Sequence, residues 1–496
     1  MTSRHHRAPR ILPGVVLATA AVLALSACGG SAVSAKKAVG ANQAVKGQAA
    51  AASGDSTGTG NAVGDVPVGD LGTGDVAPGT GGATPTAGGG GGTTTTGGGT
   101  TTTGGGRAAP ATGQGIKAGS CAGFKNTTGI TDSTITIGNI ADISGPVPGI
   151  FTAAANATKA YAAYFNSTSK ICGRKLAVKS YDSQTNTSGD SVATQKTCDE
   201  TFAAVGSMDA FDSGGTSVAK ACKIPEIHAI ITNDARADCD NCFAASAPSG
   251  GLFQRSIPDY FTRHNKAATQ KAAMVYVNAA ASVGAAKGQV KAEERAGWKF
   301  VYTGSFDIAE FNYGPYVQKM KSAGVQLVQM YGSSDMAIRM AQAFEAANFK
   351  PDLFILPATQ YDKNYAAGGK AVDGTILFVD FTPIEDMAKN PELALYNRWL
   401  QQVAPGSQPT YFGLYAWSAS RLFAEQATLL GGKLTRPNLV KQLRTIKNWT
   451  SNGLHAPQAV GSKRGTPCAR FLQLRNGTWK SYGGSKYYCN GQVSSR

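Results

Sequence analysis

The stretch TITIGNIADISGPVPGIFTAAANATKAYAAYFN, residues 134–166, decides the fold. Its first part, Thr134–Ile143, is short and rich in β-branched residues, which suits a strand. Phe151–Asn166 is long, rich in alanine and clusters Tyr161, Tyr164 and Phe165, which suits a helix. Between them Ser144, Gly145 and Pro146 form a polar turn. The alternation then repeats: KLAVKSYDS (175–183) reads as a strand, a helix follows from about Gly189 to Val205, and MDAFDSGG (208–215) reads as the next strand. A helix through Lys220 and the strand IPEIHAIIT (224–232) complete the series. Strands alternating with helices predict a parallel sheet covered on both faces.

A second series follows. KAAMVYVN (271–278), KFVYTGSF (299–306), VQLVQMYGSS (325–334), PDLFILP (351–357) and GTILFVDF (374–381) are separated by helix-length segments, so two open sheets are expected rather than one oversized sheet. The pattern then changes to two long helices, PELALYNRWLQQV (391–403) and YFGLYAWSASRLFAEQATLLGG (411–432). The segment CARFLQLRNGTWKSY (468–482) alternates about Asn476-Gly477 and reads as a hairpin. The fold class is therefore α/β, with two Rossmann-like lobes built on parallel sheets.

Upstream of these elements the chain has another character. Arg4, Arg7 and Arg10 precede an apolar run from Ile11 to Leu25, the layout of an export signal; at about fifteen residues it is shorter than the roughly twenty that span a bilayer. Leu25-Ser26-Ala27-Cys28 resembles the lipobox of bacterial lipoproteins, which implies a signal peptide over residues 1–28 and a lipid on Cys28. Residues 29–119 are glycine, threonine, alanine and serine, a composition that cannot bury enough apolar surface to order itself. Such a tether of roughly ninety residues spans about 50 Å on average. The expected location is the extracellular face of a bacterial cell membrane.

The formal charge of +16 comes from scattered lysines and arginines without an aromatic-interleaved basic run, which argues against nucleic acid as a partner. Nine cysteines less Cys28 leave eight, an even number in an exported chain, so disulfides are expected. Cys468 and Cys489 bracket the last strands. Cys239 and Cys242 have no second pair or histidine at ligand spacing and read as a short-loop disulfide, not a zinc site. Cys172 with Cys198 would tie a strand to the next helix, although the pairing among Cys121, Cys172, Cys198 and Cys222 stays open. No metal or cofactor is expected.

In open α/β sheets, ligands sit beyond the carboxyl ends of the strands. Three polar loops occupy such ends in the first series: Ser144-Gly145 before Phe151, the run Ser213, Gly214, Gly215 and Thr216, and Thr232-Asn233. Asp142, Asp182 and Asp212 also stand at strand ends, as ligand acceptors or as caps. The folded part carries no G-x-S-x-G, H-E-x-x-H or P-loop, and His228, His264 and His455 have no partner at motif spacing; an enzyme is not expected.

SGPVPG after the first strand, the Ser/Gly/Thr loop after the third and the two-sheet order together resemble the leucine/isoleucine/valine-binding branch of periplasmic solute-binding proteins, the receptors of ABC importers. The resemblance runs from about Thr131 to Tyr488. It implies two lobes joined by a three-strand hinge, with crossovers near Arg255, Phe381 and Leu454; residues 120–254 and 382–454 form the first lobe, and residues 255–381 and 455–490 the second. It implies that a ligand carboxylate is held by Ser213 to Thr216 and by Thr232 and Asn233. The second lobe adds Asn278, Ser282, Tyr331, Ser333, Thr359 and Tyr361. Where such receptors place an acid for the ligand's ammonium, this chain has Pro357-Ala358-Thr359, with Asp362 a little further on as a substitute. Phe151, Tyr331 and Tyr361 are candidates to stack on a ligand or to pack the core. The expectation is a monomeric, lipid-anchored receptor for a small polar molecule, amino acid-like, amide or organic acid, that delivers it to an ABC permease. The alternative is a sensory lipoprotein using the same fold without transport.

Overall fold

The computed structural model describes residues 117–496 apart from 146–148, 150 and 249. The signal segment with Cys28 and the tether up to residue 116 lie outside the described residues.

The first sheet is built from β1 (Thr134–Ala141), β2 (Lys175–Asp182), β3 (Ala203–Val205), β4 (Glu226–Ile230) and β5 (Cys242–Ser246), all parallel, in the order β2-β1-β3-β4-β5. Helices α1 (Thr152–Thr168), α2 (Thr187–Glu200), α3 (Thr216–Cys222) and the single turn α4 (Asp234–Ala237) connect these strands. The strand expected over 208–215 is instead a loop. The true third strand is the buried triplet Ala203–Val205, which follows α2 directly because that helix ends at Glu200 and not at Val205. Three small apolar residues are too short a run to reveal a strand by periodicity. β5, CFAAS, gave no strand signal of its own because it has no β-branched residue and no alternation.

After the short strand β6 (Leu252–Gln254), helices α5 (Ser256–His264) and α6 (Lys266–Thr269) open the second lobe. Its strands are β7 (Ala272–Val277), β8 (Phe300–Phe306), β9 (Leu327–Tyr331), β10 (Leu353–Pro357) and β11 (Ile376–Val379). They alternate with α7 (Ala280–Arg295), α8 (Gly314–Ser322), α9 (Ser334–Ala346) and the turn α10 (Lys363–Ala366). The chain then returns to the first lobe as α11 (Pro391–Val403), α12 (Tyr411–Leu430) and α13 (Arg436–Leu443), and comes back once more as β12 (Cys468–Arg475), β13 (Thr478–Tyr482) and β14 (Tyr488–Cys489). The second sheet runs β13-β12-β11-β10-β9-β7-β8, parallel except for the antiparallel β12 and β13. β15 (Gln492–Ser494) pairs with β6.

Two features show why these residues form these elements. The β12–β13 turn uses Asn476 (φ 51°) and Gly477 (φ 72°), the left-handed pair whose twist matches that of a hairpin. α12 starts where Thr410 accepts the amide of Gly413 at 3.2 Å and stops at Gly431. It is apolar on nearly every side because it is the first lobe's central helix, packed on α1 and β4. Trp417, fully buried, lies 4.9 Å from the ring of Tyr161 and 5.2 Å from that of Tyr396. In the second lobe Phe261 and Phe471 meet at 5.0 Å, beside Trp298.

Disulfides join Cys121 to Cys172, Cys198 to Cys222, Cys239 to Cys242 and Cys468 to Cys489. The Cys172–Cys198 link is not formed. Cys172 sits in the turn before β2, against the segment preceding β1, whereas Cys198 on α2 faces the end of α3, with Cα atoms 6.1 Å apart in the Cys198–Cys222 pair.

The first crossing between lobes leaves β5 through Pro248 toward β6. The second leaves β11 through Phe381, which bridges His455: the Thr382 amide donates to Leu454 O at 2.8 Å and the Ala456 amide to Asp380 O at 2.7 Å. The third crossing is not at Leu454. The chain turns back after Ala456, pairs Gln458 with Trp449, and places Lys463 against the carbonyls of Ala237 and Cys239 in the first lobe. It crosses next to Pro248, whose carbonyl accepts the Gly465 amide at 3.2 Å. Residues 455–464 therefore pack with the first lobe rather than the second.

Candidate functional site

The chain leaves the first sheet at the carboxyl end of β5 and the second at the carboxyl end of β11. Both of these crossings thus begin on carboxyl edges, and the edges meet where α12 of the first lobe touches the Ala358–Gln360 turn that follows β10. That is where a parallel sheet offers its loops to a ligand.

The first lobe's edge is built around acids of the chain itself. Ser144 donates through its amide (3.1 Å) and hydroxyl (2.5 Å) to Asp182, which also accepts the amides of Ile143 and Gln184. Burial works against ionisation of Asp182, but these donors outweigh it and hold the carboxyl below its usual range. Asp142 accepts the amides of Thr185 and Ala210 and the hydroxyl of Ser183. The Gly215 amide donates to Asp190 at 2.6 Å and that of Thr232 to Asp212 at 2.7 Å. Thr216 and Thr232 hydroxyls turn to the carbonyls of Asp212 and Asp209, and Asn233 caps α4. Of the donors assigned by resemblance to a ligand carboxylate, the Gly215 amide is thus taken by Asp190 and the Thr232 amide by Asp212, while the Gly214 and Thr216 amides turn to the carbonyls of Phe211 and Ser213.

Beneath this loop lies a buried charge cluster. Arg236 Nε is 3.0 Å from Glu226 Oε2, its Nη2 is 3.8 Å from Asp190, and His228 Nε2 stands 3.1 Å from Glu226. Burial alone would raise the Glu226 carboxyl; Arg236 and the hydrogen bond with His228 outweigh it and lower it. Asp209, buried with neither carboxylate oxygen paired, is pushed well up by burial and then by the charges of Asp190 and Asp212. Gly215 is tight here: a Cβ would lie 2.0 Å from Thr194 Oγ1 and 2.9 Å from Arg236 Nη1. Gly215→Ala is expected to cost about 1–3 kcal/mol, read as a lower urea midpoint with an unchanged slope.

The aromatic candidates divide. Phe151 is buried and meets Phe412 edge-on at 4.7 Å. Tyr361 is buried against Phe381, and its hydroxyl donates to Glu385 at 2.7 Å while accepting the Ile384 amide. Both are core residues and offer no stacking face. Tyr331, at the end of β9, is half-buried. Its hydroxyl donates to Gln289 Oε1, Gln289 donates to Glu293 at 2.9 Å, and Gln329 donates to the same Glu293 oxygen at 3.0 Å. Ser333 caps α9, Thr359 turns to Gln360, and Ser282 is half-buried in the first turn of α7. Asp362 caps α10 through the Tyr365 amide at 2.9 Å and accepts from Ser334, so it does not supply the missing acid.

At the hinge end stands a residue group the sequence reading passed over. Asp380 directly follows β11; Gln458 Nε2 donates to it at 3.1 Å and to the Tyr415 hydroxyl at 3.2 Å, and Tyr415 in turn donates to Asp380. Tyr411 opens α12, its ring 5.4 Å from Tyr415 and its hydroxyl bonded to Ser246. The strand-end rule that selected Asp182 and Asp212 applies equally to FVDF, so Asp380 was within reach. Glu226 and His228, two apart on β4 and hence on one face, were a second readable signal.

A Ser–His pair does exist, Ser418 with His455 Nε2 at 2.7 Å. Both are buried, the Trp449 indole occupies the same hydroxyl at 2.8 Å, and His455 Nδ1 meets Ala456 O, so the pair braces the hinge. Among the described residues no group of three or more His, Cys, Asp or Glu is placed to hold a metal ion. A cavity of about 620 Å³ lies between Pro248, the Cys239–Cys242 turn and Lys463, and includes none of the cleft residues named above.

Comparison with solved structures finds the same fold in a branched-chain amino acid transporter substrate-binding protein of Streptococcus pneumoniae in complex with isoleucine. The TM-score is 0.58 at 16% identity, over 72% of this chain and 100% of that one. A solute-binding protein of an R. palustris ABC transporter in complex with benzoate gives 0.60 at 18%, over 73% and 98%. A fatty acid ABC transporter substrate-binding protein from Thermomonospora curvata gives 0.62 at 16%, over 75% and 95%. No curated protein sequence matches. The family model described as periplasmic binding protein matches residues 134–478, the span that holds both sheets, the hinge and the cleft loops, and the chain belongs to that family.

Proposed function

We propose that this chain is a lipid-anchored receptor on the outer face of a bacterial cell membrane that captures a small polar molecule between its lobes and delivers it to an ABC importer. The observation that carries the reading is the pair of sheets whose carboxyl edges are joined by crossings at the Phe381–His455 and Pro248–Gly465 contacts. A ligand that touches both lobes shifts the open–closed equilibrium by its differential affinity. The closed form is then the one a permease reads. Cys28 and the tether of residues 29–119 support anchoring at a distance from the bilayer. The structural relatives are crystallised with ligands as different as isoleucine and benzoate, so the cleft side chains, not the fold, set the choice of ligand.

Small-angle scattering of the full chain, with and without any compound that raises its melting temperature, tests the reading. A ligand-dependent fall in the pair distances of the folded part is expected. An unchanged distribution with every compound that binds would sink it. Cys28→Ala is expected to release the protein from the membrane fraction.

A further inference from the structure

The reading of the cleft as a ligand site leaves open what the ligand is, and three observations bear on its chemistry. On the first lobe, the amides of Ser144, Ala210, Gly215 and Thr232 are committed to the chain's own carboxylates and are not free for a ligand carboxylate. On the second lobe, the Tyr331 proton is committed to Gln289, so its oxygen keeps only lone pairs, as an acceptor. At the hinge end, Asp380 is partnered by two neutral groups, Tyr415 and Gln458, and has Tyr411 and Tyr487 beside it. Arg470, across from Val379 on the neighbouring strand, is turned to Asp386 at 3.0 Å and does not neutralise Asp380.

A carboxylate whose partners are neutral attracts an ammonium group by charge-assisted hydrogen bonding. Asp380 and Tyr487 come from the second lobe, Tyr411 and Tyr415 from the first, so an occupant at this point holds both. We propose that Asp380, Tyr411, Tyr415 and Tyr487 form a subsite for the protonated amine of the ligand, and that the ligand is a small organic amine rather than a carboxylate held by the Ser213–Thr216 loop.

This inference rests on the receptor reading above, and a pH profile separates the two. Burial, only partly offset by Tyr415 and Gln458, pushes the Asp380 carboxyl up to about 6; a bound cation lowers it again. The other groups facing Asp380 keep their state between pH 5 and 7. Tyr411, Tyr415 and Tyr487 are pushed above the tyrosine range by burial, His455 behind Tyr415 is lowered to about 4, and Arg470 is paired with Asp386.

The experiment is calorimetric titration of the full chain with matched series: 2-phenylethylamine, 2-phenylethanol and 3-phenylpropanoate, then 3-methylbutylamine, 3-methylbutanol and 4-methylpentanoate, with putrescine as a diamine. At least one amine is expected to bind while its alcohol and carboxylate partners do not. Its affinity should fall about tenfold from pH 7 to pH 5, a range in which the amines stay charged. Asp380→Asn should weaken it at least tenfold and flatten the profile. The pH profile is read on the unmodified chain and decides the matter even if the variant does not fold. Amine binding that is flat from pH 5 to 7, a carboxylate that binds Asp380→Asn as well as the unmodified chain, or no amine binding at millimolar concentration would overturn the proposal. A carboxylate that binds and closes the lobes would do so while leaving the receptor reading intact.

Discussion

Replacing Arg236 by methionine is expected to destabilise the folded chain by about 3–5 kcal/mol, because it leaves Glu226 and Asp190 buried without their counter-charge. The guanidinium lies 3.0 Å from Glu226 Oε2 and 3.8 Å from Asp190, all three side chains are fully buried, and Asp209 and Asp212 add further carboxyls to the same pocket. The loss is not confined to a pair. Asp190 holds the Gly215 amide and Asp212 holds the Thr232 amide, so the loop that rims the cleft rests on this cluster. Urea denaturation gives the magnitude. The double variant Arg236→Met with Glu226→Gln is expected to recover part of the loss, since it removes the stranded charge. A single-variant loss below about 1 kcal/mol would show that the pocket takes up enough water to screen its acids.

The second large effect concerns Glu293. Its carboxyl is buried and pushed up to about 8 by desolvation, against the hydrogen bonds from Gln329 and Gln289. The unfolded chain releases this proton near the ordinary glutamate value, while the folded chain holds it until about pH 8. Between those limits the folded state binds more protons, so stability is highest below about 4.5 and falls as pH rises through the window, levelling above 8. At 1.36 kcal/mol per unit the fall is on the order of 4–5 kcal/mol. Glu293→Gln keeps the shape and the neutral donor. The Oε2 of Glu293 and the Oε1 of Gln329 are both buried and unpaired, and a proton on the acid, or the amide of the variant, supplies a donor. The variant is expected to match the unmodified chain at pH 5, to exceed it by several kcal/mol at pH 8.5, and to leave Tyr331 in place. Thermal unfolding across that range checks it; parallel pH curves would show that Glu293 ionises freely in the folded state.

What the sequence displays and what it hides follow from the range of the interactions. Strand–helix alternation is local, so the two sheets were legible, as was the Asn476-Gly477 hairpin, whose turn chemistry occupies two adjacent residues. β3 was misplaced because Ala203–Val205 is three buried small residues with no alternation. The candidate loops follow β1, β3 and β4, but two of their donors face acids distant in sequence. Asp182 lies 38 residues from Ser144 and Asp190 lies 25 from Gly215, and no spacing rule connects such partners. Phe151 and Tyr361 had two readings, and the neighbours that decide for the core, Phe412 and Glu385, come from later segments. The third crossing was missed because the chain reaches the hinge at His455 and then turns back, a detour held by Trp449 and Lys463 that leaves no compositional mark.

The central helix α12, around which the first lobe packs, is encoded only after the parallel strands β7–β11, and β12 and β13 come later still. A nascent chain therefore carries a bare sheet edge and an unfilled core through most of its synthesis, and neither half can finish until nearly the whole polypeptide is available. Such long-range closure makes for slow maturation.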